Sequence, residues 1–233
     1  YLNDSNSVIR LNLLKLFKNL SRSPEFINYL HKISFLPLIF NQMNFEKSQE
    51  HLIELSLIFK EFLFIKGVAE DSLAYNSIYI LKDLITKIDP SNTFDAFECI
   101  NYMSYYWLTL DEMINRNIHI FLNDYLKINK PKIEIVSVVL LCIASFSSNI
   151  QAKAYFVKSN LIEYSINIFK TEDFFQELFI NIILLLTSLV EHPEGKIQLL
   201  SQIPVFEPFT SDFLYPNIHE YANDLINEIK SKP

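Results

Sequence analysis

Two stretches of this 233-residue chain, far apart in sequence, can be laid over one another. Residues 187–209 read TSLVEHPEGKIQLLSQIPVFEPF, and residues 18–40 read KNLSRSPEFINYLHKISFLPLIF. At an offset of 169, Leu189 falls on Leu20, Pro193-Glu194 on Pro24-Glu25, Leu199 on Leu30 and Phe209 on Phe40. A third stretch, 144–166, joins at an offset of 126, with Phe146, Phe156 and Ile162 at the Leu20, Leu30 and Leu36 positions. The offset 126 is three steps of 42, and the fourth step is 43. A near-constant period of this length marks a stacked array, in which each unit buries its apolar faces against its neighbours rather than within itself. Two further copies are then expected to begin near 62–63 and 104–105. The first is partly visible: Leu63 and Leu73 keep the ten-residue spacing, and Gly67 stands where Pro24 was. The second, over 101–126, shows no clean match, although the segment still reads as two helices.

Every copy has the same internal order: a long apolar helix, a short polar joint, a helix of about two turns, then another helix. The punctuation agrees. Asp89-Pro90-Ser91-Asn92 ends one helix and caps the next, Lys130-Pro131 puts proline at a first turn, and Thr171-Glu172-Asp173 sets acidic residues at a helix start. Only two glycines, Gly67 and Gly195, occur in the whole chain. Folds built on tight hairpins or glycine-rich phosphate loops are disfavoured by that shortage. Residues 1–233 read as a single repeat domain, a fragment of a larger protein, with 6–20 as the last helix of a unit whose earlier helices are absent. Pro193 and Gly195 read as the turn between stacked units, and Leu20, Leu30, Phe146, Phe156, Leu189 and Leu199 as layered core.

A three-helix unit of about 42 residues resembles the armadillo repeat, with HEAT-type helix pairs as the near neighbour. The resemblance implies an all-α, right-handed α-solenoid of about five armadillo-like three-helix repeats. In armadillo proteins that resemble nuclear-import adaptors, a Trp and an Asn four residues apart recur on the third helices and clamp an extended peptide. Carried over, the Asn positions are Asn19, Phe62, Ser145 and Ser188, and the Trp positions Lys15, Ile58, Leu141 and Leu184. Only Asn19 matches, so the import-adaptor ladder is absent. Lys15, Asn19, Ser145 and Ser188 remain candidates for contact with a partner's backbone, against the plainer reading of serines that hydrogen-bond within their own helix.

Chemistry finds little footing. The formal charge of −7 runs against a nucleic-acid reader. Cys99 and Cys142 form neither a CxxC pair nor a disulfide framework, which fits a reducing, cytoplasmic setting. They lie 43 apart, about one period, and so are expected at equivalent buried positions. No secretory leader opens the chain. The apolar runs 133–146 and 178–190 are shorter than the roughly 18–20 residues of a membrane span. None of the five histidines sits at metal-ligand spacing, no nucleophile elbow occurs, and Glu172-Asp173 fits a helix start better than an acid–base pair. The expectation is a non-enzyme without metal or cofactor, its oligomeric state unspecified.

Specificity is sought where the pattern fails, at NYMSYYW, residues 101–107. On one continuous helix, Phe94, Phe97, Ile100, Met103 and Trp107 form a core stripe. Glu98, Tyr102, Tyr105 and Tyr106 gather on another side, as a packing face or as an aromatic contact surface. The expected function is a protein-interaction scaffold or adaptor that takes a peptide or partner helix. A regulatory, autoinhibitory domain of a larger cytoskeletal or signalling protein is the alternative, and a helical enzyme or small-ligand bundle the alternative of another class.

Overall fold

The computed structural model describes residues 6–129, 131–171, 175–211 and 215–231, and all regular structure among them is helical. Lys130 and Glu172-Asp173 lie outside the described residues, while Pro131, expected in a first helical turn, stands two residues before the helix that starts at Ile133, whose N-cap is Lys132. In chain order the helices are α1 (Ser7–Ser21), α2 (Pro24–Lys32), α3 (Leu36–Phe45), α4 (Gln49–Phe62), α5 (Val68–Asp71), α6 (Ser77–Lys87), α7 (Phe94–Ser104) and α8 (Trp107–Asn115). There follow α9 (Ile118–Asn129), α10 (Ile133–Phe146), α11 (Ile150–Lys158), α12 (Leu161–Thr171), α13 (Gln176–Val190), α14 (Pro193–Leu200), α15 (Ile203–Phe206) and α16 (His219–Lys230). Contacts divide the chain into two compact units, Tyr1–Arg116 and Asn117–Pro233.

Local chemistry sets the helix ends. The Asn6 side chain accepts from the backbone N–H groups of Val8 and Ile9, and Asn149 does the same for Gln151 and Ala152. Ser23 accepts from Phe26 N–H, with Pro24 in the first turn of α2; His192 and Pro193 repeat that arrangement at α14. Four non-glycine residues with positive φ among the described residues, Ser34, Asn76, Asn117 and Asn160, each stand one or two residues before a helix, α3, α6, α9 and α12 in turn. They are 42, 41 and 43 residues apart. Asparagine tolerates the left-handed region better than other non-glycine residues, so a chain nearly without glycine makes its recurring turn this way.

The long helices α1, α4, α7, α10 and α13 end at Ser21, Phe62, Ser104, Phe146 and Val190, in steps of 41 to 44 residues. The copies expected near 62–63 and 104–105 are therefore present. The second escaped the 42–43-residue spacing because its buried anchor is Met103, 41 residues after Phe62; Ser104, at the helix end, is a buried hydroxyl satisfied by the Asn101 carbonyl at 2.6 Å. In the first unit α1 packs on α4 and α4 on α7; in the second α10 packs on α13 and α13 on α16. Asn181, which interrupts the apolar run of α13, donates to the Ser137 hydroxyl and carbonyl of α10 at 2.9 and 3.1 Å.

Leu30, Phe146, Phe156, Leu189 and Leu199 are buried, as the repeat pattern requires. Leu20 is not: it is 42% exposed, because α1 packs chiefly on α4 and α2 and Leu20 sits on the flank that neither covers. Nor is Gly195 a turn residue. It lies inside α14, buried, where a Cβ would overlap the Leu189 carbonyl oxygen, so glycine is needed there for close approach.

Candidate functional site

Within each unit the long helices repeat one face. Helix ends and burial together align Lys15 of α1 with Leu57 of α4 and Glu98 of α7, and, four residues on, Asn19 with Glu61 and Tyr102. In the second unit Leu141 and Leu184 hold the first position, and Ser145 and Ser188 the second. All ten are exposed or half-buried. The residue after each belongs to the core from α4 onward: Ile58 and Phe62, Cys99 and Met103, Cys142 and Phe146, Leu185 and Leu189 are all fully buried. Phe62 and Ile58 are thus core residues and not face residues, contrary to the expectation, which lies 43 residues after Asn19 and Lys15. The step from α1 to α4 on this face is 42, and one residue of slip turns a helix by about 100°. Cys99 and Cys142 occupy equivalent buried positions, as their spacing implied. Burial pushes the Cys99 thiol well above its ordinary range, which leaves it protonated and unreactive at neutral pH.

The same alignment joins two groups of candidates. Tyr102, taken from the aromatic segment, stands in the column of Asn19 within the first unit, at the repeat position that Ser145 and Ser188 hold in the second. Its ring meets Phe64 at 5.0 Å and Tyr105 at 6.3 Å, with interplanar angles of 63° and 76°. Phe64 is 62% exposed and Tyr105 60%. Tyr105 is held by Asn101, whose side-chain amide donates to its hydroxyl at 2.9 Å. Tyr106 lies at the joint, half-buried, where its carbonyl accepts from Leu110 N–H at 2.9 Å. Trp107 departs from the expected core stripe. Helix α7 stops at Ser104 and α8 begins at Trp107, so the tryptophan leaves the stripe and is 68% exposed. Phe97, Ile100 and Met103 keep their core places.

Charges cross between neighbouring long helices on this face. Lys18 of α1 pairs with Glu54 of α4 at 2.8 Å. Lys60 of α4 donates to Asp95 and Glu98 of α7, both at 2.7 Å. Burial opposes the charge on Lys60, but these two hydrogen bonds outweigh it and hold the ammonium above its ordinary range. Glu61 differs from them: it has no ion-pair partner among the described residues. Burial raises its pKa; Lys60 and Arg22 pull it back, and Glu98 and Asp95 add to the rise. Glu61 and Phe64 line a cleft of about 480 Å³ with Arg22, Pro24, Ile27 and Ile65. Burial, then the nearby Glu98 carboxylate, also raises the Tyr102 phenol.

The remaining candidates lie as follows. Lys15 and Asn19 are exposed on α1. Ser145 Oγ donates to Leu141 O at 3.2 Å within its own helix, which is the plain structural role, while Ser188 is half-buried on α13. Among the described residues no group of three or more His, Cys, Asp or Glu side chains is placed to hold a metal ion. No helix among them is long and apolar enough to cross a membrane. The residues missed by sequence reasoning are Glu61 and Leu57, displaced by the register error, and Phe64, which follows the end of α4.

No family profile matches this chain. No curated protein matches it either. Solved structures do. A designed armadillo repeat protein superposes with a TM-score of 0.82 at 13% identity, over 98% of this chain and 97% of its own. Another designed armadillo repeat protein, in complex with the peptide (KR)4, gives 0.82 at 13% identity over 98% and 96%. An engineered protein gives 0.83 at 12% identity; all of this chain is covered, and it spans 57% of that protein's length. The chain has the armadillo-like repeat fold.

Proposed function

We propose that this protein is a non-enzymatic scaffold that binds a partner as an extended peptide on the exposed face of its long helices. The observation that carries this reading is the column Asn19, Glu61, Tyr102: one hydrogen-bonding side chain from each of three stacked helices, beside an aromatic row and a cleft. An extended chain crossing the helices would offer backbone amides and carbonyls to these groups in turn. Ser145 and Ser188 hold the equivalent places on α10 and α13, and Lys15 precedes the first by one helical turn. The designed protein that shares the fold and is in complex with (KR)4 supports a peptide as ligand.

The test is selection from a random-peptide library followed by titration of the selected peptides. Asn19→Ala/Tyr102→Ala should weaken binding at least about ten-fold, the loss expected when a hot spot is truncated. Undiminished binding by a variant that retains the wild-type helical circular dichroism would sink this face as the site.

A further inference from the structure

The long helices carry a stripe at 4-3-4 spacing, the spacing of a seam by which one helix packs on another. On α4 it is His51, Leu55, Ile58 and Phe62, and on α13 it is Leu178, Ile182, Leu185 and Leu189, all at most 2% exposed. Polar contacts show what this side meets. His51 Nε2 lies 3.0 Å from the Ser7 carbonyl oxygen of α1, the Cys99 thiol of α7 donates to Ser56 O of α4 at 3.5 Å, and Asn181 of α13 bonds Ser137 of α10. Within each unit the stripe is thus the side on which a long helix takes the one before it. On α1 the same stripe is Ile9, Leu13, Leu16 and Leu20, 42 residues before its counterpart on α4, and it is open: Ile9, Leu16 and Leu20 are 42–51% exposed. Helix α3, which meets α1 where the Phe35 and Phe17 rings lie 5.2 Å apart, continues the opening. Its Leu38 is 45% exposed, whereas Ile80, 42 residues later on α6, is 9% exposed. Phe45, exposed, stands two turns beyond Leu38 on the same side of α3.

This open side is also uncharged. Helix α3 has no charged residue, and α1 has three cations and no carboxylate. Arg10 pairs with Glu46 at 3.3 Å and Lys18 with Glu54 at 2.8 Å, and Lys15 stands roughly a third of a turn away from the stripe. Asn12 flanks the stripe at the place where α4 carries Glu54 and α7 carries Asp95, the carboxylates that receive a lysine from the preceding helix. An amide does not draw a lysine as a carboxylate does; it suits a neutral group, another amide included, because it offers donor and acceptor at once. An aliphatic surface with a neutral edge is complementary to itself. Turned antiparallel about a two-fold axis, Ile9 meets Leu20 of the second copy and Leu13 meets its Leu16, so every place in the seam is filled by an aliphatic side chain. Helix α16 offers no such surface. Its own stripe, Ala222, Leu225 and Ile229, is buried, and the side chains it leaves in water include Glu220, Asp224 and Glu228. Head-to-tail addition would set polar groups of that kind on the open side of α1, whereas a two-fold contact sets that side on itself.

We propose that the open side of α1, with Leu38 and Phe45 of α3, is a dimerisation surface closed by the same surface of a second copy of this chain. It is independent of the peptide-binding reading: a dimer would double the peptide faces and raise avidity for a repetitive ligand, but neither reading requires the other. Analytical ultracentrifugation over about 1 to 100 μM, a range open to an interface of ordinary size, should show the monomer giving way to a species of twice its mass. Leu16→Glu/Leu20→Glu should stay monomeric at the highest concentration with wild-type helical circular dichroism, since both side chains already face water in a single copy. Should that variant unfold, Leu38→Glu on α3 makes the same test. Leu16→Cys reports the pairing itself, because the native Cys99 and Cys142 are buried. A short bis-maleimide should join Leu16→Cys chains in pairs, and should not join Ile150→Cys chains, whose substituted position is more exposed but lies off this surface. A monomer at every concentration, or a dimer indifferent to the glutamate variants, would overturn the proposal.

Discussion

At the scale of the single residue, His119 shows how the array stores a cost. It lies buried on α9, its ring edge-on to Tyr155 at 5.4 Å and to Phe156 at 6.3 Å, and its Nδ1 has no hydrogen-bond partner among the described residues. Burial disfavours the imidazolium and lowers the pKa from the ordinary 6.5. The sign follows directly. As pH falls through that ordinary value the unfolded chain takes up the proton first, so the unfolded state gains relative to the folded one. Stability from this group is complete above about pH 6.5 and is lost as pH falls toward the depressed folded value. Urea midpoints measured from pH 8 to pH 5 should therefore drop more steeply for wild type than for His119→Gln or His119→Phe. Parallel pH profiles in all three proteins would show that His119 does not carry the dependence. The candidate Tyr102 illustrates a different point. Its residue type and its place in an aromatic run were legible in the sequence, but its membership of the Asn19 column was not, because that depends on where α4 and α7 stop.

At the scale of the element, the joint before α14 looks like a loop in sequence and is a helix start in three dimensions. Pro193 begins the helix and Gly195 lies within it, close under the last turn of α13. A methyl group at Gly195 meets the Leu189 carbonyl, a backbone atom that cannot swing aside, and the Val157 side chain stands at 3.2 Å from the same point. Gly195→Ala should cost about 1–3 kcal/mol as an overpacking substitution, although alanine is intrinsically the better helix former. Chemical denaturation of the two proteins measures it, and a stabilised alanine variant would mean that α14 moves away freely. The helix order, the joints and most of the core were legible because apolar spacing records which side of a helix is covered. Register was not. A step of 42 in place of 43 from Asn19 puts Glu61 on the face and Phe62 in the core, and nothing within 49–62 announces the missing residue. The end of α7 at Ser104 was equally hidden, since Phe97, Ile100, Met103 and Trp107 fit one stripe only if the helix continues. The asparagine series at 76, 117 and 160 is the further signal in the sequence, and it marks the recurring turn even in the copy whose apolar spacing is irregular.

At the scale of the whole molecule, charge is the property that bears on function without regard to any one contact. The chain carries a formal net charge of −7. A cationic ligand is therefore attracted before it touches the surface, and its encounter rate depends on how far that field reaches. The Debye length falls from about 30 Å at 10 mM ionic strength to about 8 Å at 150 mM. Close packing of a ligand against exposed rings is screened far less than this approach. The association rate constant of a library-selected peptide of net positive charge, followed by stopped-flow through Trp107 emission, should fall steeply with added salt, while its dissociation rate constant changes little. Charge neutralised at the contact itself would give a different pattern, because Glu61→Gln would then accelerate dissociation at every salt concentration. A dissociation rate that rises with salt as strongly as the association rate falls would place the electrostatics in the bound complex and remove long-range steering from the account.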